Sequence, residues 1–396
     1  MSEQSLSVEE TIAPLWRHGF RPFFLAGGLF AIVAMGLWWL ALGGQSVVQF
    51  FGGGLWWHSH ELVFGFAGAI VVGFLLTAVQ NWTNVRSTFG MPLQLLFGCW
   101  LAARLVKVIP GAGWWVVMPE VVFYLMSTGL FARPLLVARQ YKNLAIFVPL
   151  LLLMGLFATL SIAAVVREGS ALRFIHAGIF VVVFMMVLMG SRVVPFFVGK
   201  AFGIPQPRPH AVVELVGSVS MLLLVVLALV GFYRVPPYLL ATACLIACVF
   251  QLIKIAVWFD IRIMQRSILW SLFTAYGFIP LGLVLLACFS VGWVPLLSVP
   301  LHAFTTGAMG GLILAMAARV SLGHTGRAMR LPRFMPVALV CIFIGGLLRV
   351  LGPLLGPAYY QWGLQLSSIS WIVAFAIFVV SYLPILSAPR VDGKPG

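Results

Sequence analysis

The chain has 396 residues, of which 62% are hydrophobic and only 8% are charged. A soluble globule of this size needs many more polar side chains to cover its surface, so the composition excludes one and predicts that lipid is the solvent. The formal net charge of +15 lies in no separate basic domain. We therefore attribute it to membrane topology and to contacts with anionic lipids, and we expect no nucleic-acid partner.

Twelve apolar stretches are long enough to span a bilayer, since a spanning helix needs about 20 mainly apolar residues. We predict an all-α polytopic membrane protein that forms a single transmembrane domain over 1–396. Its N-terminal segment 1–19 and its C-terminal tail 387–396 are expected in the cytoplasm. The predicted helices are 20–43, 58–80, 92–109, 113–132, 143–165, 172–190, 210–232, 236–257, 268–290, 298–318, 334–354 and 362–386.

The distribution of positive residues predicts the orientation. With the N-terminus inside, eighteen of the 24 Lys and Arg residues fall at cytoplasmic ends and loops. Cytoplasmic loops carry such an excess in multi-pass proteins, so the pattern predicts that both termini are cytoplasmic. The six positive residues on the opposite side are Arg104, Lys107, Arg167, Arg173, Arg234 and Arg349.

Four histidines stand near the starts of predicted helices 2, 6 and 10, all of which run inward from the outer side: His58, His60, His176 and His302. We predict that they share one depth near the outer leaflet. Neutral imidazole binds haem iron and copper, so these four are candidate metal ligands. Hydrogen-bonding core residues or a proton path are the alternatives. The spacing of the three helices also suggests three similar four-helix units.

The pair His58 and His60 is followed directly by Glu61. Residues i and i+2 of a regular helix point roughly 200° apart, so the two histidines are not expected to face one mononuclear centre. A carboxylate at this depth is costly unless it orients a ligand imidazole, binds metal or passes protons. The alternative is an interfacial residue solvated by periplasmic water.

A second group of polar residues is predicted at the cytoplasmic ends of helices 6 and 10. The stretch "MGSRVVPFF" is expected to close helix 6, and "AARVSLGHTGR" to close helix 10. Arginine offers bidentate donors for haem propionates, a quinone head or an anion. Positive-inside anchoring is the alternative. The candidate residues are Arg192, Arg319, His324 and Arg327.

The chain resembles the NnrS family of bacterial membrane proteins. The resemblance rests on four stretches spread along the sequence, namely "GFRPFFL", "WHSHELVFGFAGAIVVGFLLTAVQNWT", "HAGIFVVVFMMVLMGSRVVPFF" and "HAFTTGAMGGLILAMAARVSLGHTGR". It implies a haem- and copper-associated inner-membrane protein that is linked to protection against nitric oxide. The family's recurring residues match His58, His60, His176, His302, His324, Arg192, Arg319 and Arg327 here.

This sequence departs from the family pattern at Ser59, Gln80, Ser191 and Trp270. The first three changes are tolerable on size. The fourth replaces a histidine that is common at the start of helix 9, so no helix-9 ligand is predicted. His18 and His210 fall outside the family motifs. The arrangement of histidines on helices 2, 6 and 10 also resembles the haem-copper oxidase catalytic subunit, although no adjacent histidine pair follows on helix 7.

These observations predict a multi-pass protein of the bacterial inner membrane that carries haem b, with copper as a second candidate cofactor. The predicted activity is that of a nitric oxide reductase-like oxidoreductase, which forms nitrous oxide with electrons from a quinol or a small redox protein. We predict Glu61 as its proton-delivering residue. His302 and one of His58 and His60 are the favoured haem ligands. The alternatives are a non-enzymatic protein that sequesters haem, copper or nitric oxide, and a transporter.

Overall fold

The computed structural model describes residues 12–45 and 49–394, and all regular structure in this part of the chain is helical. The predicted N-terminal segment 1–19 is described only from residue 12 onward. The predicted tail 387–396 is described only up to residue 394. Twelve helices are long and apolar enough to cross a membrane. This confirms the predicted all-α, multi-pass architecture.

We number the twelve spans in chain order. Their bounds are α1 Phe20–Leu42, α2 Gly54–Thr83, α3 Met91–Val108, α4 Trp114–Val137, α5 Tyr141–Val166, α6 Leu172–Phe202, α7 Ala211–Val230, α8 Pro237–Trp258, α9 Ser267–Ser290, α10 Ser298–His324, α11 Met335–Leu355 and α12 Pro357–Leu386. Short 3-10 turns at Pro14–Trp16 and Ile261–Gln265 precede α1 and α9.

One predicted feature of these helices is wrong. The α6 helix does not close at "MGSRVVPFF" but continues to Phe202, so Arg192 and Pro195 lie inside it. The α9 helix is also continuous and carries Pro280 in its interior. Spanning helices tolerate an internal proline when neighbouring groups satisfy the backbone, so hydropathy and proline position did not locate the end of α6.

The helices α2 and α10 each contain a π-helical segment, which the sequence analysis did not anticipate. In α2 the segment is Glu61–Ala67, directly after His60. In α10 it is Ala303–Gly310, directly after His302. These two helices are also the most buried of the described spans. In an 18-residue apolar stretch of each, 78% and 72% of the residues are buried. Single π turns inside α-helices are frequent at functional sites.

The chain divides into two compact units. Unit 1 contains residues 1–175, 317–332 and 375–396, and unit 2 contains residues 176–316 and 333–374. Within unit 1, α2 packs against α1 and α4, and α4 also packs against α3 and α5. Within unit 2, α8 packs between α7 and α9, while the π segment of α10 packs against α9 and α11. This division does not follow the three four-helix units suggested by the histidine spacing.

Candidate functional site

The His60 side chain is fully buried in unit 1 and is fixed on two sides. Its ring stacks on Trp56, with ring centres 4.5 Å apart. Its Nδ1 lies 3.0 Å from Glu61 Oε1. Because a carboxylate only accepts, Nδ1 carries the proton and Nε2 carries the lone pair. That Nε2 is buried and has no hydrogen-bond partner among the described residues.

Two cations hold Glu61 in place. Arg104 Nε lies 2.7 Å from Glu61 Oε2, and Lys107 Nζ lies 3.0 Å from Glu61 Oε1. The same lysine Nζ donates to Glu120 Oε2 at 2.6 Å, and Arg104 Nη2 also pairs with that oxygen. The carboxylate beside His60 is therefore part of a network of four charged side chains from α2, α3 and α4.

This network, Glu61, Arg104, Lys107 and Glu120, is buried and balanced in charge. At most 3% of any of the four side chains is exposed. Two carboxylates face two cations, so the formal charges cancel when His60 is neutral. A buried ion pair is a poor source of stability in itself, but the loss of one member leaves an uncompensated charge at high cost. The network consequently fixes the position of Glu61 and, through it, the His60 ring.

The π segment after His60 is supported by side chains from neighbouring helices. Trp100 Nε1 donates to Gly65 O at 2.9 Å, and the Tyr124 hydroxyl donates to Phe64 O at 3.0 Å. A side chain on Gly65 would crowd this network, since a Cβ there would lie 3.0 Å from Arg104 Nη1 and 3.1 Å from Glu61 Oε2. The segment and the charged network thus depend on each other.

The His58 ring has different neighbours from the His60 ring. It stacks on Trp38 of α1, with ring centres 4.6 Å apart and planes 15° apart. Both histidines lie in the regular helical turn Gly54–His60. The i, i+2 spacing turns their rings to different sides, as the sequence predicted.

In unit 2, His302 repeats the arrangement of His60. Its Nδ1 lies 2.6 Å from Ser298 O. A carbonyl oxygen only accepts, so Nδ1 carries the proton and Nε2 carries the lone pair. A second predicted ligand in this unit, His176, is half-buried and stacks on Phe232 with ring centres 6.0 Å apart.

The predicted cytoplasmic residues are divided between the two units. Arg192 lies in unit 2 and its side chain is exposed. Arg319, His324 and Arg327 lie in unit 1. Among these three, His324 ends α10 and its ring packs near His18, a residue outside the family motifs.

Three side chains of unit 1 bring possible metal-binding atoms close together. One ligand atom each of His60, Glu61 and Glu120 lies within 4.8 Å of the others. Yet Lys107 and Arg104 already contact both oxygens of Glu61 and Oε2 of Glu120, and these cations would repel a metal ion at the same place. The carboxylates therefore do not fit as metal ligands, and Glu61 is too buried to be solvated by periplasmic water. The His60 Nε2 fits a ligand role, because its second nitrogen is held by a carboxylate in the manner common to metal-binding histidines.

The motifs around these histidines lie within a family match that covers nearly the whole chain. A family model described as NnrS protein matches residues 14–390. The chain belongs to the NnrS family. A comparison with curated proteins gave no match. Membership of the NnrS family indicates a membrane protein of the nitric oxide response, and the match covers every residue of the site described above.

Sequence reasoning missed three members of the charged network in this NnrS-family protein. The sequence pattern identified Arg104 and Lys107 only as exceptions to the positive-inside rule. It did not identify Glu120 as a candidate site residue. A usable signal was present, because two positive residues three apart on the outer side and an acidic residue in the next apolar helix are each costly in a membrane. Their pairing with Glu61 could not be read from spacing, since they come from different helices.

Proposed function

We propose that this protein holds haem b through histidines of its membrane-spanning helices and removes nitric oxide, reducing it to nitrous oxide. The observation that carries the proposal is the common arrangement of His60 and His302. Each histidine gives its Nδ1 proton to an oxygen acceptor, and each immediately precedes a π-helical segment in one of the two most buried spans. In both rings the unprotonated nitrogen, which is the one able to bind iron, is then Nε2.

In this proposal His60 and His302 are ligands, one in each unit. His58 and His176 are further candidate ligands for haem or for copper. Haem, if bound by these residues, would supply an iron able to bind nitric oxide. Nitric oxide is small and apolar enough to reach such an iron from the bilayer. Arg192, Arg319, His324 and Arg327 remain proposed contacts for haem propionates or for a quinone head.

The role proposed for Glu61 follows from its contacts. Arg104 and Lys107 occupy both of its oxygens, so we propose that it positions His60 and keeps the Nδ1 proton in place, with proton delivery as the alternative role. Nitrous oxide formation needs two electrons and two protons for each pair of nitric oxide molecules, and it releases one water. A quinol or a small redox protein is proposed as the electron donor.

The first experiment is spectroscopic. The protein is purified from cells supplied with haem precursor, and its absorption spectrum, iron content and copper content are measured. We expect a haem Soret band that is lost or shifted in His60→Ala and His302→Ala and is retained in His210→Ala, because His210 is an exposed histidine at the start of α7. A protein without haem after purification and haem reconstitution would overturn the proposal.

The second experiment separates a reductase from a protein that only sequesters nitric oxide. Protein in liposomes receives nitric oxide and a chemically maintained quinol, and nitrous oxide is measured by gas chromatography. Repeated turnover that depends on His60 and His302 supports reduction. A spectral change on nitric oxide binding without nitrous oxide supports sequestration.

A further inference from the structure

The His60 ring has a second support besides Glu61, and it comes from one helical turn earlier. Trp56 and His60 are four residues apart in the turn Gly54–His60, so they lie on one face of the helix. The indole stacks on the imidazole, with ring centres 4.5 Å and planes 28° apart. The hydrogen bond at Nδ1 holds one edge of the imidazole, whereas the stacked indole covers one of its faces.

The Trp56 side chain is itself held in place by packing. Its Nε1 is buried and has no hydrogen-bond partner among the described residues. The Phe51 ring meets the indole edge-on, with ring centres 5.5 Å apart. Only 5% of Trp56 is exposed. The residues that pack against the indole therefore determine where it lies.

Gly52 lies directly against the indole of Trp56. A Cβ at this position would lie 2.6 Å from Trp56 Cε3 and 2.8 Å from its Cδ2. The φ angle of Gly52 is also +73°, in the left-handed region that favours glycine. The next residue, Gly53, has a similar φ of +81°, but a Cβ there meets nothing within 4 Å. Of this pair, only Gly52 therefore leaves its space to the indole.

Lys107 of α3 connects the two supports of His60. Its main-chain oxygen accepts a hydrogen bond from Phe51 N at 3.0 Å, next to Gly52. Its Nζ lies 3.0 Å from Glu61 Oε1, which in turn lies 3.0 Å from His60 Nδ1. The lysine side chain is completely buried. One residue therefore holds both the loop that packs against Trp56 and the carboxylate beside the imidazole.

We infer that Trp56 is a positioning residue for His60. Its indole, backed by Gly52, fixes the rotation of the imidazole about the Cβ–Cγ bond and thus the direction in which Nε2 points. Glu61 determines which ring nitrogen is protonated, and Trp56 determines where the other nitrogen is aimed. The inference rests on the proposed function only in that Nε2 binds iron. Partners that orient a ligand imidazole are commonly worth about 10- to 100-fold in metal affinity.

Two matched pairs of variants test the inference. Trp56→Leu removes the stacked ring. Trp56→Phe keeps an aromatic ring and loses no hydrogen bond to the described residues, since Nε1 has none. Gly52→Ala pushes a methyl group against the indole, whereas Gly53→Ala carries similar backbone strain without that contact. Trp56→Leu and Gly52→Ala should misplace the His60 ring, and the other two variants should not.

The first measurement needs no haem. The metal-free protein is prepared with nitrogen-isotope-labelled histidine, and the His60 signals in solid-state NMR spectra are identified by their absence in His60→Ala. In the unaltered protein we expect one ring conformation, with the proton on Nδ1. Trp56→Leu and Gly52→Ala should broaden or split these signals, and Trp56→Phe and Gly53→Ala should preserve them. Sharp, unshifted His60 signals in Trp56→Leu and Gly52→Ala would overturn the inference.

Haem titration separates this inference from the proposed function. If iron binds at His60, the haem dissociation constant should rise about 10- to 100-fold in Trp56→Leu and Gly52→Ala, and the reduction potential should shift. Both quantities should change little in Trp56→Phe and Gly53→Ala. A parent protein that binds no haem contradicts the proposed function, and the NMR comparison still decides the role of Trp56. Haem bound through His60 with equal affinity and potential in all four variants overturns the role of Trp56 and leaves the proposed function standing.

Discussion

His60 Nδ1 and Glu61 Oε1 lie 3.0 Å apart although the two residues are neighbours in the chain and both are completely buried. Adjacent helical residues normally point to different sides. Here the transition from α-helix to π-helix falls between them. Two cations from α3 then hold the carboxylate against the imidazole. The relationship links the unusual backbone of α2 to the chemistry proposed for His60.

The first prediction concerns the charge of Glu61. Glu61→Gln keeps the shape but leaves two cations facing one carboxylate. We expect a loss of about 3–5 kcal/mol in stability, as for other broken buried ion pairs. We also expect metal or haem affinity about 10- to 100-fold weaker, because the acceptor of His60 Nδ1 is altered. Unfolding in denaturing detergent and haem titration measure the two effects. Asp260→Asn, which weakens the partly exposed ion pair with Arg262, should change neither by much.

A second prediction tests whether charge balance is the cause. Glu120→Gln and Lys107→Met should each destabilise the protein, but the double variant should recover much of the loss, since Glu61 and Arg104 still form a neutral pair. A double-mutant cycle on the free energy of unfolding measures this coupling. If the losses of the two single variants simply add in the double variant, packing and not charge balance is the main cause of the destabilisation.

Gly65 provides a third prediction. Gly65→Ala should destabilise the protein and weaken haem binding, because the new methyl group would crowd Arg104 and Glu61 inside the π segment. Gly98→Ala is the matched control in α3, where a Cβ meets nothing within 4 Å. Alanine favours helix by about 1 kcal/mol over glycine, so the control variant should be as stable as the parent or more so. Equal behaviour of the two variants would contradict the proposed crowding.

Tyr124 gives a fourth prediction. Tyr124→Phe removes the hydroxyl that bonds Phe64 O and leaves a buried carbonyl without its donor. The expected cost is about 1–3 kcal/mol. Tyr276→Phe is a useful comparison, since it removes a buried hydroxyl that bonds Gln251 in unit 2 instead. Only the Tyr124 variant should alter the absorption spectrum of the haem that His60 is proposed to bind.

The fifth prediction concerns pH. Because the pKa of His18 in the folded protein is about 3 instead of 6.5, unfolding takes up a proton between these values. Stability should thus be full above pH 6.5 and fall as the pH drops below it, by at most about 1.4 kcal/mol per pH unit. In His18→Gln this part of the pH dependence should disappear. Melting temperatures measured from pH 7.5 to 5 test it, and parallel curves for the two proteins would argue against it.

The amino-acid sequence by itself determined the architecture. Hydrophobic stretches and charged loops identified twelve helices, since lipid leaves a chain few other ways to satisfy its backbone. The sequence also indicated His60 and His302, because ionisable residues in such helices are rare. The predicted common depth of the four histidines and the cytoplasmic location of both ends stay predictions.

Only the tertiary structure decided the neighbours of these histidines. The π segments after His60 and His302 depend on side chains such as Trp100 and Tyr124, which reach the backbone from other helices. The same is true of the charged network around Glu61 and of the contact between His18 and His324. Periodicity and hydropathy describe one helix at a time, whereas these features arise where helices pack together. The sequence therefore identified His60 as a candidate ligand, and the packing of the helices determined which of its ring nitrogens can bind a metal.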